Sequence, residues 1–195
     1  SGSGTNFEAI VRRAKYSKFP LRVLGLITDN PQAYAIERAK NLGIPYKIVS
    51  DVGEDLIEAI RSFGNVDAVV MAGFMRILPQ RVIEEFRGKI LNIHPSLLPS
   101  FKGLNAIERA WVSGVRFSGV TVHIATEKVD EGPILSQKVI PTFEGESLES
   151  FESRVHSVEH ALYFDTIVEF LFKERPPYAL ITSYEKTPEI LNFAK

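Results

Sequence analysis

The chain contains no cysteine among its 195 residues. Disulfide bonds and thiolate metal sites are therefore excluded, and cysteine usage gives no information on the redox state of the compartment. Neither sign of charge is in excess, with 23 basic and 24 acidic residues. Because surfaces that bind the phosphate backbone are typically basic, nucleic acid is not an expected partner.

Long hydrophobic runs are also missing. The longest, "VDAVVMAGFM" at 66–75, is about half of the ~20 apolar residues that a membrane-spanning helix requires. The first residues have no secretory-signal pattern, and we therefore expect a cytoplasmic protein with no membrane partner. With 45% hydrophobic residues, the chain can bury a substantial core, and its length suits one domain over residues 1–195.

Strand-like apolar runs alternate with helical patterns over the first half of the chain. The runs lie at 21–29, 45–50, 66–74 and 89–94. They are continuously apolar, which is typical of a parallel sheet with helices on both faces. The sequence therefore predicts an α/β fold with a doubly wound, mostly parallel, Rossmann-like sheet. From residue 118 the strands alternate more, and we expect partly antiparallel strands at 118–126 and 134–141.

A helix over about 147–172 follows, with Phe151, Val155, Val158 and Leu162 along one side. The last twenty residues are expected to form a terminal strand or loop that packs on the body. In open sheets of this kind, ligands bind beyond the carboxyl ends of the strands. The chemistry is therefore sought in the segments that follow each predicted strand.

Asn92 and His94 lie two residues apart on the strand 89–94, so their side chains point to the same side. A structural hydrogen-bonded pair would have the same pattern, because buried polar groups are usually satisfied. However, a loop rich in proline and glycine follows His94, and rigid loops at strand ends often carry binding sites. Asp130, in "KVDEGP", is an ordinary turn residue by itself. If it lay near His94, it would favour the charged imidazole and fix its orientation.

The chain opens with "SGSGTN", a glycine-rich segment before a helical pattern. Backbone N–H groups at a helix start bind phosphate. The segment falls short of the full G-x-G-x-x-G pattern because residue 7 is Phe7, and an artificial linker would have the same composition.

The segment "HSVEH", residues 156–160, matches the H-x-x-E-H pattern of some zinc proteases. It predicts, as an alternative of another class, a zinc metallohydrolase that uses His156, Glu159 and His160. The polar flank of an amphipathic helix explains the same residues.

Taken together, five segments resemble the folate-dependent formyltransferases. They are "SGSGTNFEAI", "AGFMRIL", "LNIHPSLLPSFKG", "GVTVHIATEKVDEGPIL" and "RVHSVEHALY", and they follow the family's order and spacing over nearly the whole chain. Pro95 and the length favour the branch that formylates glycinamide ribonucleotide over the initiator-tRNA formyltransferases, which usually carry alanine there and a second domain. A hydrolase like the formyltetrahydrofolate deformylases is the nearest alternative.

The resemblance implies a reaction in which the amine of 5-phosphoribosylglycinamide attacks the formyl carbon of 10-formyltetrahydrofolate, a step of purine biosynthesis. It implies Asn92 and His94 as donors to the developing oxyanion, with Asp130 supporting His94. These two small molecules are the expected partners, with 10-formyltetrahydrofolate as co-substrate and no metal. The sequence leaves open whether the protein forms a homodimer.

The resemblance also implies two sets of binding residues. Those for the ribonucleotide are Gly4, Thr5, Asn6, Pro95 and Glu159. Those for the folate are Met75, Arg76, Ile77, Leu78, Asn92 and Thr126.

Two departures from the family pattern stand out. The family has a strand before the glycine loop, and we expect that first strand to be absent from this chain. The family often has an arginine just after its third strand, whereas "SDVGEDLIEAI" has none before Arg61. Which basic residue replaces it is open.

Overall fold

The computed structural model describes residues 3–172. The helices are α1 (Thr5–Tyr16), α2 (Tyr34–Leu42), α3 (Glu54–Arg61), α4 (Gln80–Glu85), α5 (Ala106–Val112) and α6 (Leu148–Phe172). The strands are β1 (Leu26–Thr28), β2 (Tyr46–Ile48), β3 (Val69–Met71), β4 (Ile90–His94), β5 (Phe117–Ile124) and β6 (Ile134–Pro141). The terminal strand or loop predicted for the last twenty residues lies outside the described residues.

The strands pair as the alternation of elements predicts. β1 is parallel to β2, and β3 is parallel to β4, whereas β5 is antiparallel to both β4 and β6. Within the described residues, the strands form a two-stranded sheet and a four-stranded sheet in the order β3-β4-β5-β6. The predicted α/β class, with antiparallel strands added after the parallel ones, is confirmed.

Several element bounds differ from the predictions, and the run 66–74 forms a strand only over Val69–Met71. The run 21–29 forms a strand only from Leu26, because its partner β2 is preceded by Pro45, which has no N–H to extend the ladder. The apolar spacing over 31–43, with Pro31 in front and Gly43 behind, predicts a second helix from Pro31, but this helix begins at Tyr34. There the Asn30 side chain accepts the Gln32 N–H at 2.9 Å, and this local turn competes with helix formation.

Helices cover both faces of the four-stranded sheet. Ile90 packs in a cluster with α3 and α4, whereas its neighbour Leu91 packs in a cluster with α6. Alternate residues of a strand face opposite sides, so these contacts define two layers. Asn92 and His94 lie on the Ile90 side, further towards the carboxyl end of the strand. Among the helices of residues 3–172, none has the length and hydropathy to cross a membrane.

α6 is fixed to the sheet through Tyr163, which is completely buried. Its hydroxyl group lies 2.7 Å from the carbonyl oxygen of Met71 and 2.8 Å from that of Leu91, so it donates to β3 and β4 at their junction. Burial raises the pKa of Tyr163 well above its ordinary value, so the hydroxyl remains a donor.

α1 runs beside α6 in the same direction. Near the start of α1, Asn6 contacts Glu159. Two turns later, Arg13 donates to the carbonyl oxygen of Ala161 and pairs with Asp165, each at 2.7 Å. This alignment brings the glycine-rich start of α1 next to the "HSVEH" segment of α6.

Candidate active site

The centre of the site is a polar patch shared by β4 and β5. Antiparallel pairing places Asn92 opposite His123 and His94 opposite Thr121. Side chains two residues apart share a face, as do directly opposite partners, so all four side chains lie together. His94 is 6% exposed and His123 is 2% exposed. Because His94, His123 and Thr121 are buried, each polar atom of their side chains requires a partner.

Asp130 lies between the two imidazoles. Its Oδ2 is 3.4 Å from Nδ1 of His94 and accepts the N–H of Gly103 at 2.8 Å, while its Oδ1 is 3.6 Å from Nε2 of His123. Burial acts to raise the pKa of the Asp130 carboxyl, but the hydrogen bond from the N–H of Gly103 and the nearby His94 imidazole act against it, and the pKa is lowered below its ordinary value. Asp130 is therefore a carboxylate at neutral pH.

His94 has hydrogen-bond acceptors on both sides. Nε2 lies 2.9 Å from the carbonyl oxygen of Phe101, which can only accept, and Nδ1 faces the Asp130 carboxylate. A doubly protonated imidazolium satisfies both contacts. In this arrangement neither N–H of His94 is free, so direct donation to a substrate oxygen requires one of the two contacts to be exchanged.

The loop after His94 is held by Thr121, a completely buried residue. The Thr121 hydroxyl donates to the carbonyl oxygen of Ser96 at 2.6 Å and accepts the N–H of Leu98 at 3.1 Å. These bonds fix the course of the chain from Pro95 onwards. They thereby fix the carbonyl of Phe101 and the N–H of Gly103 that contact His94 and Asp130.

A second polar group surrounds the start of α1. Gly4 precedes the helix with φ 76°, and a Cβ atom there would lie 2.7 Å from Cβ of Ala35, so glycine is required on both counts. Thr5 is the first residue of the helix. The Asn6 amide donates to Glu159 Oε2 at 3.4 Å, and Glu159 is buried. The structure thus brings the predicted residues Asn6 and Glu159 together.

His156 joins this group from one helical turn before Glu159. Its Nδ1–H donates to Glu159 Oε2 at 2.7 Å, and its side chain is half exposed. This hydrogen bond raises the pKa of His156 above its ordinary value, against the opposing effect of burial. Over residues 3–172, no group of three or more His, Asp or Glu side chains is arranged to hold a metal ion.

The segment predicted to bind the folate lies in the loop after β3. Met75 is 65% exposed and Ile77 is 71% exposed, whereas Leu78 packs against the α3–α4 cluster. Arg76 lies 3.6 Å from Asp29 in the loop after β1. Two large apolar side chains are therefore presented to solvent at the carboxyl ends of the parallel strands, where ligands bind in such sheets.

Thr126 lies beyond β5, in the loop that leads to Asp130. Its hydroxyl donates to the carbonyl oxygen of Lys128 at 3.1 Å. Further along this loop, Gly132 passes so close to the chain that a Cβ atom would lie 1.7 Å from the carbonyl oxygen of Ile124. The loop is thus folded tightly onto the end of β5, which fixes Asp130.

Sequence reasoning missed His123, Thr121 and the backbone groups of Phe101 and Gly103. The first two carry the same signal that identified Asn92 and His94, namely two polar residues at a spacing of two within an apolar strand, "GVTVHIA". The signal was weaker there because alternation is also typical of a half-exposed antiparallel strand.

These elements define a formyltransferase fold. A family model described as "Formyl transferase" matches residues 1–167, and the chain belongs to this family. The resemblance inferred from the sequence is therefore confirmed.

Within the family, the chain is similar to proteins of one kind. The "Phosphoribosylglycinamide formyltransferase" of Bacillus subtilis is 40% identical over 88% of this chain and 91% of that protein. The crystal structure of "glycinamide ribonucleotide transformylase 1" from Geobacillus kaustophilus superposes with a TM-score of 0.82 and 39% identity, over 87% of this chain and 94% of that one. The "Trifunctional purine biosynthetic protein adenosine-3" of Chironomus tentans is 36% identical over 84% of this chain, which spans 12% of that protein.

Proposed function

We propose that the chain transfers the formyl group of 10-formyltetrahydrofolate to the amine of 5-phosphoribosylglycinamide, in purine biosynthesis. The products are formylglycinamide ribonucleotide and tetrahydrofolate. The observation that carries the proposal is the cluster at the end of β4, in which the half-buried Asn92 lies beside the buried His94 and Asp130. It lies in a chain 40% identical to a phosphoribosylglycinamide formyltransferase.

The cluster suits a reaction in which negative charge develops on one oxygen. Attack of the amine on the formyl carbon forms a tetrahedral intermediate whose oxygen becomes an oxyanion. Asn92 can donate an N–H to this oxygen, and the imidazolium of His94 supplies positive charge beside it. Asp130, 3.4 Å from His94, stabilises that charge. Because His94 and Asp130 are buried, their electrostatic effect on the oxyanion is stronger than it would be in water.

The reaction also moves a proton from the attacking amine to the folate nitrogen that leaves. As the carbon–nitrogen bond to the folate breaks, that nitrogen must accept a proton. His94 is the acid in this step, through Nε2–H, once the oxyanion or the leaving nitrogen replaces the carbonyl of Phe101 as its acceptor. Return of the proton from the amine, directly or through a water held by Asp130, restores the imidazolium.

The start of α1 is the proposed phosphate site. Free N–H groups and the helix dipole at Thr5 and Asn6 favour an anion there, and Gly4 lets the chain approach it closely. Glu159, held by Asn6 and His156, would contact the ribose or the amine of the ribonucleotide.

The folate is proposed to bind along the loop after β3. Backbone groups of residues 75–78 would pair with the edge of the pterin ring, with the exposed side chains of Met75 and Ile77 against it. Thr126 would close this pocket from the loop after β5, and Pro95, next to His94, would contact the ribonucleotide.

The experiment measures tetrahydrofolate formation from 10-formyltetrahydrofolate with and without 5-phosphoribosylglycinamide. Formation should require the ribonucleotide, and the Asn92→Ala variant should lose 10²-fold to 10³-fold in kcat, the usual effect of removing an oxyanion donor. Asn65→Ala, a substitution of an exposed asparagine before β3, is the matched control and should retain the parental rate. Turnover that is equally fast without the ribonucleotide would support the deformylase alternative instead.

A further inference from the structure

The two buried histidines of the site have opposite hydrogen-bonding surroundings. His94 lies between two acceptors, the carbonyl of Phe101 and the carboxylate of Asp130. His123 lies between one acceptor and one donor: Nδ1 is 2.9 Å from the carbonyl oxygen of Ile124, and Nε2 is 3.1 Å from the amide nitrogen of Asn92. The same residue type is therefore placed in two environments that require different hydrogen-bonding roles of its ring nitrogens.

The partners of His123 define a single tautomer. A carbonyl oxygen only accepts, so Nδ1 of His123 must carry a hydrogen. An amide nitrogen only donates, so Nε2 must have a free lone pair. Nε2 lies 3.6 Å from Asp130 Oδ1, beyond the distance of a hydrogen bond, and its partner is therefore Asn92. A neutral imidazole with its proton on Nδ1 satisfies both bonds.

We propose that His123 is a positioning residue whose Nε2 accepts a hydrogen from the amide of Asn92 and so orients that amide. One Nδ2 hydrogen of Asn92 binds His123, and the second is thereby directed towards the oxygen of the formyl group. The catalytic part of this inference rests on the proposed function, whereas the protonation state of His123 does not.

A hydrogen on Nε2 of His123 would require the side-chain amide of Asn92 to rotate by half a turn. A protonated Nε2 would repel the Asn92 amino group, which would turn so that its carbonyl oxygen accepted from the imidazolium. The charged groups that contact His123 are the Asp130 carboxylate and, across that carboxylate, the His94 imidazole. The tautomer with a free lone pair on Nε2 keeps Asn92 in its donor orientation.

Nitrogen NMR of the full chain labelled with ¹⁵N-histidine tests the protonation state directly. Near neutral pH, His123 should show a protonated Nδ1 and an unprotonated Nε2, with its signals assigned by their absence from the His123→Gln variant. Two protonated nitrogens, or a proton on Nε2 alone, would overturn the inference. This readout requires no substrate, so it stands even if the chain does not formylate the ribonucleotide.

Kinetics of two variants test the positioning role. Gln at position 123 can present a side-chain oxygen to Asn92 where Nε2 was, whereas Leu cannot. We expect His123→Leu to lower kcat by a factor on the order of 10 to 10², below the loss of the donor itself, with the KM of each substrate changed less than about 3-fold. His123→Gln should recover most of that loss, because it restores the acceptor.

A double substitution separates positioning from a general loss of structure. In the Asn92→Ala background, His123→Leu should have little further effect on kcat, because groups that act as a unit are not additive. Losses that multiply, or equal losses in the Gln and Leu variants, would overturn the positioning role. Melting temperatures identify any variant that fails to fold. If His123→Leu fails to fold, the kcat of His123→Gln relative to the parent, together with the NMR, still tests whether His123 orients Asn92.

Discussion

Replacing Asp130 by asparagine isolates the charge of the carboxylate from its structural role. Asp130 has φ 55°, in the left-handed region that asparagine tolerates best after glycine. The side-chain oxygen of asparagine can still accept the N–H of Gly103. The fold around the loop should therefore be preserved, whereas an Asp130→Ala variant would lose that bond and add backbone strain.

The size of the effect follows from the separation of the charges. At 3.4 Å and an effective dielectric constant of about 20, the attraction between the carboxylate and the His94 imidazolium is about 5 kcal/mol. Part of this attraction already exists in the enzyme–substrate complex. Removing the carboxylate should therefore raise the activation free energy by only part of the ~5 kcal/mol given above. A loss of about 2.7 kcal/mol or more corresponds to a decrease in kcat on the order of 10²-fold or more.

Steady-state kinetics with both substrates measure this effect. The KM for the folate should change little. His94→Ala should cost as much as His94→Ala combined with Asp130→Asn. The control is Glu131→Gln, the next residue along, whose exposed ion pair with Lys102 should not affect kcat. Independent, multiplying losses at positions 94 and 130 would refute the coupling.

Three further predictions concern α6. Glu159→Gln should raise the KM for the ribonucleotide and leave that for the folate unchanged, and equal changes in both would contradict the assignment of Glu159. The contact with Glu159 raises the pKa of His156 in the folded state. The stability that protonated His156 contributes is therefore complete below its unfolded pKa of about 6.5, and it is lost as the pH rises through the folded pKa. The melting temperature of the parent should therefore fall more steeply over that range than that of His156→Gln, and parallel curves would show that the Glu159 contact adds no stability. Tyr163→Phe should destabilise the fold by about 1–3 kcal/mol, since the buried carbonyls of Met71 and Leu91 lose a donor, and an unchanged denaturation midpoint would exclude this role.

The order and type of the elements could be predicted because they depend on local patterns. Continuous apolar runs bounded by proline and glycine predict buried parallel strands, and β4 is predicted to within a residue of its position. Helix starts were less predictable, as at α2, where the side chain of Asn30 forms a local turn that no periodicity reveals.

The site was predictable only in part, because half of it depends on tertiary register. Asn92 and His94 are polar residues in an otherwise apolar strand, which is a local signal. His123 becomes part of the site only because β5 pairs antiparallel with β4, which places Thr121 and His123 beside His94 and Asn92. Likewise, the approach of Asp130 to His94 depends on the loop that follows β5, and the residues alone gave no means of predicting it.

The fate of the formyl carbon tests the central claim most directly. 10-Formyltetrahydrofolate labelled with ¹³C in the formyl group is incubated with the chain and 5-phosphoribosylglycinamide, and the label is followed by NMR. The account predicts that the label appears as a formamide on the ribonucleotide, in equal amount to the tetrahydrofolate formed. Label that accumulates as formate would show a hydrolase and contradict the account.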